Sequence, residues 1–335
     1  MAPLDRYAEY LPERPIIGYG MDQPDPQWPD GAKIAISFVI NWEEGGERNI
    51  LDGDDGSETF ITELCATQVL GGRDPVTESQ FEYGPRAGLP RLMRLFKKYN
   101  MPATMYTVAA ALERAPYLGP MLVEQGFEIA CHGNRWINFM DVPPEEEEMH
   151  VHQAIDRLQK YTGDPSVPRG WMIGRRSNAS QRLYCHAAKE RGLEFLYSSD
   201  SYGDDLPYWL ESPLASEGLP DEGMLILPYT LDCNDFRFVV AGSGWSSGED
   251  FYKHLVDTFD VLYEEGQIGQ AKMMSVGLHN RCVGRPGRLA AVEKFMQYIC
   301  DKEGVWVARR DEIARHWRKR FPYDPSKAQG KVVVD

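Results

Sequence analysis

The chain has 335 residues, 42% hydrophobic and 26% charged, which are ordinary globular proportions. Its 51 acidic against 36 basic side chains leave a net charge of −15, which repels a phosphate backbone and excludes nucleic-acid or anionic-membrane binding as first expectations. No apolar run approaches the roughly 18 residues of a membrane helix, so a transmembrane chain is excluded too.

Residues 1–20 carry early acids and prolines, unlike a signal or transit peptide. The six cysteines show no CxxC pair and read as reduced thiols, so a cytoplasmic protein is expected. Residues 33–39 (KIAISFV) form a short apolar run suited to a buried strand. The stretch 44–83 has weak periodicity and many acids and glycines, and is expected to be an elaborated loop. Leu89, Leu92, Met93 and Phe96 then repeat at helical spacing. A strand is predicted over 103–108, a helix over 116–125 and a strand over 127–131, which ends in His132-Gly133. The helix predicted over 144–161 opens with Pro144 and Glu145 to Glu148, which favour a helix start through preset φ and the macrodipole.

Further strands are expected at 170–173, 194–198 and 224–230, with a helix around Leu183 and Ala187 before the second of them. Phe251, Leu255, Phe259 and Leu262 mark the next helix. Strand 272–278, helix 289–298, strand 305–308 and a short helix to Trp317 complete the series. Strands alternating with helices call for parallel strands covered by helices. About eight strands without a dinucleotide fingerprint favour a single (β/α) barrel domain over 1–335. An extension at about 1–30 and a tail at about 318–335 are expected to flank it.

In such a barrel the active site lies at the C-terminal strand ends. Polar residues gather there: Asn41-Trp42-Glu43-Glu44, His132 to Trp136, Gly174 to Asn178, Asp200, Asp232 to Asp235, and His279-Asn280-Arg281. The same strand ends lie in SFVINWEEGGE, ACHGNRWI, GWMIGRRSN, PYTLDCNDFRF and SVGLHNRCVGRPGR. These strings resemble, in order, the five motifs of the polysaccharide deacetylase (NodB-homology) superfamily. With YGDDLP (202–207) they are most similar to its allantoinase branch, the PuuE enzymes of bacteria. The resemblance runs from about Tyr19 to Trp317. It implies a distorted (β/α) barrel of the NodB type, hydrolysis of a cyclic amide (allantoin to allantoate, in purine catabolism), and a homotetramer.

Metal-dependent members of that superfamily hold their metal with one Asp and two His. Here the first strand offers Asn41, Glu43 and Glu44 with no aligned Asp pair, and Trp136 stands where the second His would be. An indole is a donor only and cannot ligate zinc. Catalytic zinc sites usually show three protein ligands, so no metal and no other cofactor is expected, as the allantoinase branch implies.

Without a metal the chemistry needs a base for water, donors for the oxyanion and a proton for the leaving nitrogen. Glu43 or Glu44 is the candidate base, and strand alternation should turn only one inward, with Glu43 preferred. The resemblance makes His279 the general acid, oriented by Asp232 or Asp235. His132 is the candidate oxyanion donor. Arg135, Arg175 and Arg176 are candidates to bind the ureide carbonyls, with Asn41, Glu44 and Trp136 also in the substrate pocket.

Other features take simpler readings. His150 and His152 lie two apart on a helix and should not converge. Cys131 reads as a buried small hydrophobe, and the glycine-rich stretch 242–248 lacks the Walker lysine and reads as a loop. Two rivals stand beside the allantoinase expectation. One is an N-deacetylase of chitin or peptidoglycan oligosaccharides; the other is a catalytically inactive binding protein of the same fold.

Overall fold

All nine residues of strand β1 (Ile34–Trp42) are buried, as a strand covered on both faces must be. Its two rows go different ways in a computed structural model that describes residues 7–14, 16–64, 67–218, 223–240 and 244–329. Ile34, Ile36, Phe38 and Ile40 join the large apolar cluster that packs on the helices, whereas Ala35 and Val39 join a smaller cluster inside the curled sheet. Ser37 and Asn41 complete the inner row, and Glu43 follows at the next step of the alternation.

Along one edge β1 pairs in parallel with β8 (Lys272–His279), from Ile34 beside Lys272 to Asn41 beside His279. The other edge is shared. Strand β9 (Val305–Val307) takes its first three residues and β2 (Thr104–Thr107) its last four. Then β3 (Glu128–Cys131), β4 (Gly170–Trp171), β5 (Tyr197–Ser198) and β7 (Met224–Ile226) continue the parallel row. Strand β6 (Tyr208–Leu210) pairs antiparallel with β7 and ends it. A parallel bridge between Asn234 and Gly277 ties the segment after β7 back to β8, so the sheet curls into a distorted barrel. That is the expected fold, and among the described residues no helix is long and apolar enough to cross a membrane.

The helices are α1 (Pro75–Tyr83), α2 (Leu89–Tyr99), α3 (Ala109–Arg114), α4 (Leu118–Glu124), α5 (Pro144–Thr162), α6 (Ser180–Glu190), α7 (Gly248–Gln267), α8 (Pro286–Cys300) and α9 (Arg310–Arg320). Helix α1 corrects the expectation of a loop throughout 44–83. Asp74 caps it by accepting from the Val76 and Thr77 N–H groups, and its buried stripe is Thr77, Glu78 and Phe81. Two of those three are polar, so hydrophobic periodicity could not reveal the helix. Strand β6 and helix α3 were also missing from the sequence-based series, and the strands expected at 170–173, 194–198 and 224–230 are only two or three residues long. The glycine-rich stretch 242–248 lies partly outside the described residues.

Below the site the barrel is filled by a charged plug. Arg310 is wholly buried and donates to Ser199 and Ser275 hydroxyls and to the Leu227 and Pro228 carbonyls. Every partner is an oxygen, so the buried guanidinium is satisfied and ties the end of β5, β8 and the segment after β7 together under the active end. Outside the barrel, the N-terminal segment is anchored by the Tyr10 N–H on the Asn178 carbonyl and by the Trp28 indole on the Lys272 carbonyl.

Candidate active site

The inner row of β1 delivers Glu43 to the centre of a buried charge cluster. Its Oε1 lies 3.3 Å from Nε2 of His132 and 3.3 Å from Nε2 of His279. Its Oε2 is 2.7 Å from Arg281 Nη1. Burial opposes the charge on Glu43, but Arg281 and His279 outweigh it and hold the carboxyl well below its usual range. Glu43 is therefore an anion at neutral pH, with one oxygen pinned by Arg281 and the other facing two imidazoles.

His279 ends β8, and the register places it beside Asn41. Its Nδ1–H donates to Asp235 Oδ1 at 2.6 Å, while Asp235 Oδ2 accepts from the backbone N–H groups of His279 and Val283. Burial pulls the imidazole down, but Glu43 and Asp235 raise it from its ordinary value to about 9. Asp235 is aimed by the short 3-10 turn Asp235–Phe238, whose start Asn234 caps by accepting from Phe236 N–H. Asn234 and Asn41 both donate to the Tyr229 hydroxyl, which locks the two sides of the cluster together. Asp232, the other acid considered for this role, is half-exposed and accepts from His254 instead. The turn between the two acids points them in different directions.

His132 closes the opposite side. Its Nδ1–H donates to the Met172 carbonyl at 2.5 Å, which leaves Nε2 as the nitrogen presented to Glu43. Glu44 is buried as well, contrary to simple alternation, because the chain has left the strand. It accepts from the Arg281 backbone N–H and from Asn280, and Gly84 packs against it, so it supports the cluster from behind without lining the cavity. Gly88 shows how close this packing is. A Cβ there would lie 2.0 Å from the Asn280 carbonyl oxygen.

In front of Glu43 and His279 is a cavity of about 270 Å³, lined also by Asn41, His132, Trp136 and Arg175. The Arg175 guanidinium stacks 4.1 Å above Trp136 and 4.5 Å above Phe60, and pairs with Glu58 at 3.4 Å. Of the three candidate arginines it alone reaches the cavity. Arg176 bonds the Ser177 carbonyl, and Arg135 is spent on Asp54 and the Glu47 carbonyl. Trp136 is 4% exposed and also carries Arg281 at 5.0 Å. Arg281, expected among the basic residues near the pocket and facing the substrate, instead pairs with Glu43, whereas Phe60, in a loop with no local signal, had no candidate role. His150 and His152 face different neighbours, Asn134 and Arg191, and Cys131 is a buried thiol that burial pushes up.

The donor set does not fit a metal centre. Donors around a four-coordinate zinc stand roughly 3.3–3.8 Å apart, given Zn–N and Zn–O near 2.0–2.1 Å. Glu43 Oε1 meets that spacing with each histidine, at 3.3 Å from Nε2 of both His132 and His279, but the three donors do not form a mutually close set; among the described residues, the three donors mutually within 4.8 Å lie outside the cavity. The second oxygen of Glu43 is already taken by Arg281.

The same cluster sets a pH window for stability. Because the His279 pKa is raised in the fold, its contribution is complete below its ordinary value of 6.5 and is lost as pH rises through about 9. Because that of Glu43 is depressed, its contribution is complete above its ordinary 4.5 and is lost as pH falls below that. Calorimetric Tm is expected to be highest between those limits and to fall on both sides. His279→Gln should flatten the alkaline decline, and an unchanged slope would refute this linkage.

The profile of the polysaccharide deacetylase family matches residues 72–195. A Schizosaccharomyces pombe protein named for the polysaccharide deacetylases is 46% identical over 300 residues, 88% of this chain and 93% of that protein. A Pseudomonas aeruginosa PAO1 structure described as a probable polysaccharide deacetylase is 45% identical and superposes with a TM-score of 0.86 over 93% of this chain and 100% of its own. The crystal structure of PuuE allantoinase is 44% identical with a TM-score of 0.85, over 95% of this chain and 100% of its own.

Proposed function

The chain belongs to the polysaccharide deacetylase family, and from that premise we propose that it opens the hydantoin ring of allantoin to give allantoate. The observation that carries this reading is the cavity. At about 270 Å³ it lies below the roughly 300–1,000 Å³ that holds drug-sized ligands, and so suits one small ring. Its walls are aromatic planes and one stacked guanidinium, which match a flat, neutral, carbonyl-rich solute. The 44% identity to PuuE allantoinase supports the same substrate.

In this reading a water held at Glu43 Oε1 attacks the ring carbonyl. The strong ion pair with Arg281 costs Glu43 basicity but keeps it ionised and oriented. His132 Nε2 stands at the same oxygen, so the arriving proton is shared across that pair. Arg175 donates to the substrate carbonyls, while Asn41, whose amide hydrogens go to the Tyr229 hydroxyl and the Leu278 carbonyl, holds the pocket wall. His279, protonated at neutral pH and braced by Asp235, gives its proton to the departing ring nitrogen.

The test is turnover of allantoin by chelator-treated protein, with allantoate release followed by chromatography. Release undiminished by chelation is expected. No release from allantoin, together with zinc-dependent acetate release from N-acetylglucosamine oligomers, would overturn the proposal in favour of a deacetylase. No activity on either would favour a binding protein.

A further inference from the structure

We propose a second ligand site, outside the catalytic cavity, at which Asp232, Cys233 and His254 bind a borderline-soft divalent cation of the zinc type. Asp232 and Cys233 are consecutive in the short turn Leu231–Cys233, and His254 projects from the N-terminal part of α7 onto that turn. One carboxylate oxygen, the thiol sulfur and one imidazole nitrogen all lie within 4.8 Å of one another. The closest pair, His254 Nε2 and Asp232 Oδ2, is 3.1 Å apart. Ligands bound to zinc at about 2.0–2.3 Å end up roughly 3.3–3.8 Å from each other, so small rotamer shifts complete the set.

Three further features favour a cation here. The ligand types are mixed: a thiol, an imidazole and one carboxylate select zinc-like ions over magnesium or calcium, which prefer oxygen throughout. The site has a floor and an entrance. Cys233 is fully buried, while the side chains of His254 and Asp232 are 31% and 54% exposed, which leaves a way in from solvent. The surrounding charge also fits. Three carboxylates, Asp205, Asp232 and Glu265, lie against the nearby cations Lys272 and Arg237. The Trp245 ring, tilted against His254 at 5.5 Å between centroids, restricts the imidazole plane.

The position gives the site a consequence. Leu231 lines the catalytic cavity, and Asp235, three residues beyond Asp232, braces His279. A cation bridging the turn to α7 therefore restrains the segment that carries both. This inference stands on the three ligands and does not depend on which substrate the cavity takes.

The test uses the full-length protein, stripped with a chelator and dialysed, then titrated with Co²⁺ as a spectroscopic stand-in for zinc. A thiolate-to-cobalt charge-transfer band saturating at one equivalent is expected, with Zn²⁺ displacing it. Cys233→Ser should abolish the band. His254→Gln, at a partly exposed position where folding is not at stake, should weaken Co²⁺ binding at least tenfold. Circular dichroism would check that both variants are folded. No thiolate band in the wild-type protein, or a band of full intensity in Cys233→Ser, would overturn the proposal.

Discussion

Glu43→Gln should lower kcat for allantoin by roughly 10²–10⁴-fold, the range associated with loss of a general base, and leave KM within a few-fold. The substitution is nearly isosteric, and its amide oxygen can still accept from Arg281 or His279. What it removes is the one anionic oxygen that faces the cavity. Breaking a buried ion pair typically costs about 3–5 kcal/mol, since it leaves a buried charge without its partner. Here that cost is moderated, because Asp235 still faces His279 and Glu44 still lies 3.3 Å from Arg281. Steady-state kinetics with a thermal melt of the same preparation separates the two effects. A variant that folds and retains kcat within tenfold would move the base to His132, whose Nε2 occupies the same corner.

How much of this site could be read without coordinates depends on where each residue falls relative to regular structure. Glu43 was legible because it continues the inner row of β1, and period-2 alternation is dictated by strand geometry. His279 and His132 were legible for the same reason, as each closes a strand of the parallel row. The barrel itself followed from alternating strand and helix patterns. Past the strand ends, side-chain direction is decided by contacts between distant segments. Asp232 and Asp235 looked equivalent until the Asn234 cap and its bond to Tyr229 aimed one inward. Arg175 and Arg176 are neighbours, and it is the left-handed turn at Gly174, with φ of 74°, followed by stacking on Trp136 and Phe60, that selects Arg175. Phe60 comes from the segment least legible in the sequence, yet it supplies one wall of the cavity. Helix α1 was hidden because its buried stripe is largely polar: Glu78 faces inward, where it accepts from Ser57 and Arg73.

Asp235→Asn should be nearly as damaging as loss of the base, and in a way that identifies Asp235 as a positioning residue. Its carboxylate serves three donors: the His279 imidazole, the His279 backbone and the Val283 backbone. An asparagine has one acceptor oxygen. If it keeps the two backbone bonds, its NH₂ faces His279 Nδ1, and the imidazole must present a lone pair there. The ring proton then resides on Nε2 in the neutral tautomer, the imidazolium loses the anion that stabilised it, and the pKa falls from about 9 toward the ordinary 6.5. A comparable Asp-to-Asn change behind a catalytic histidine lowers kcat by about 10⁴-fold through the wrong tautomer. A loss on the order of 10³–10⁴-fold is expected here if His279 is the proton donor. The diagnostic measurement is the pH profile of kcat. Its alkaline limb, set by His279 near 9 in the wild-type protein, should move to lower pH in Asp235→Asn, and a merely structural lesion would not shift it. An alkaline limb that stays in place while kcat falls would show that Asp235 only holds the loop, and that the leaving nitrogen takes its proton from another group.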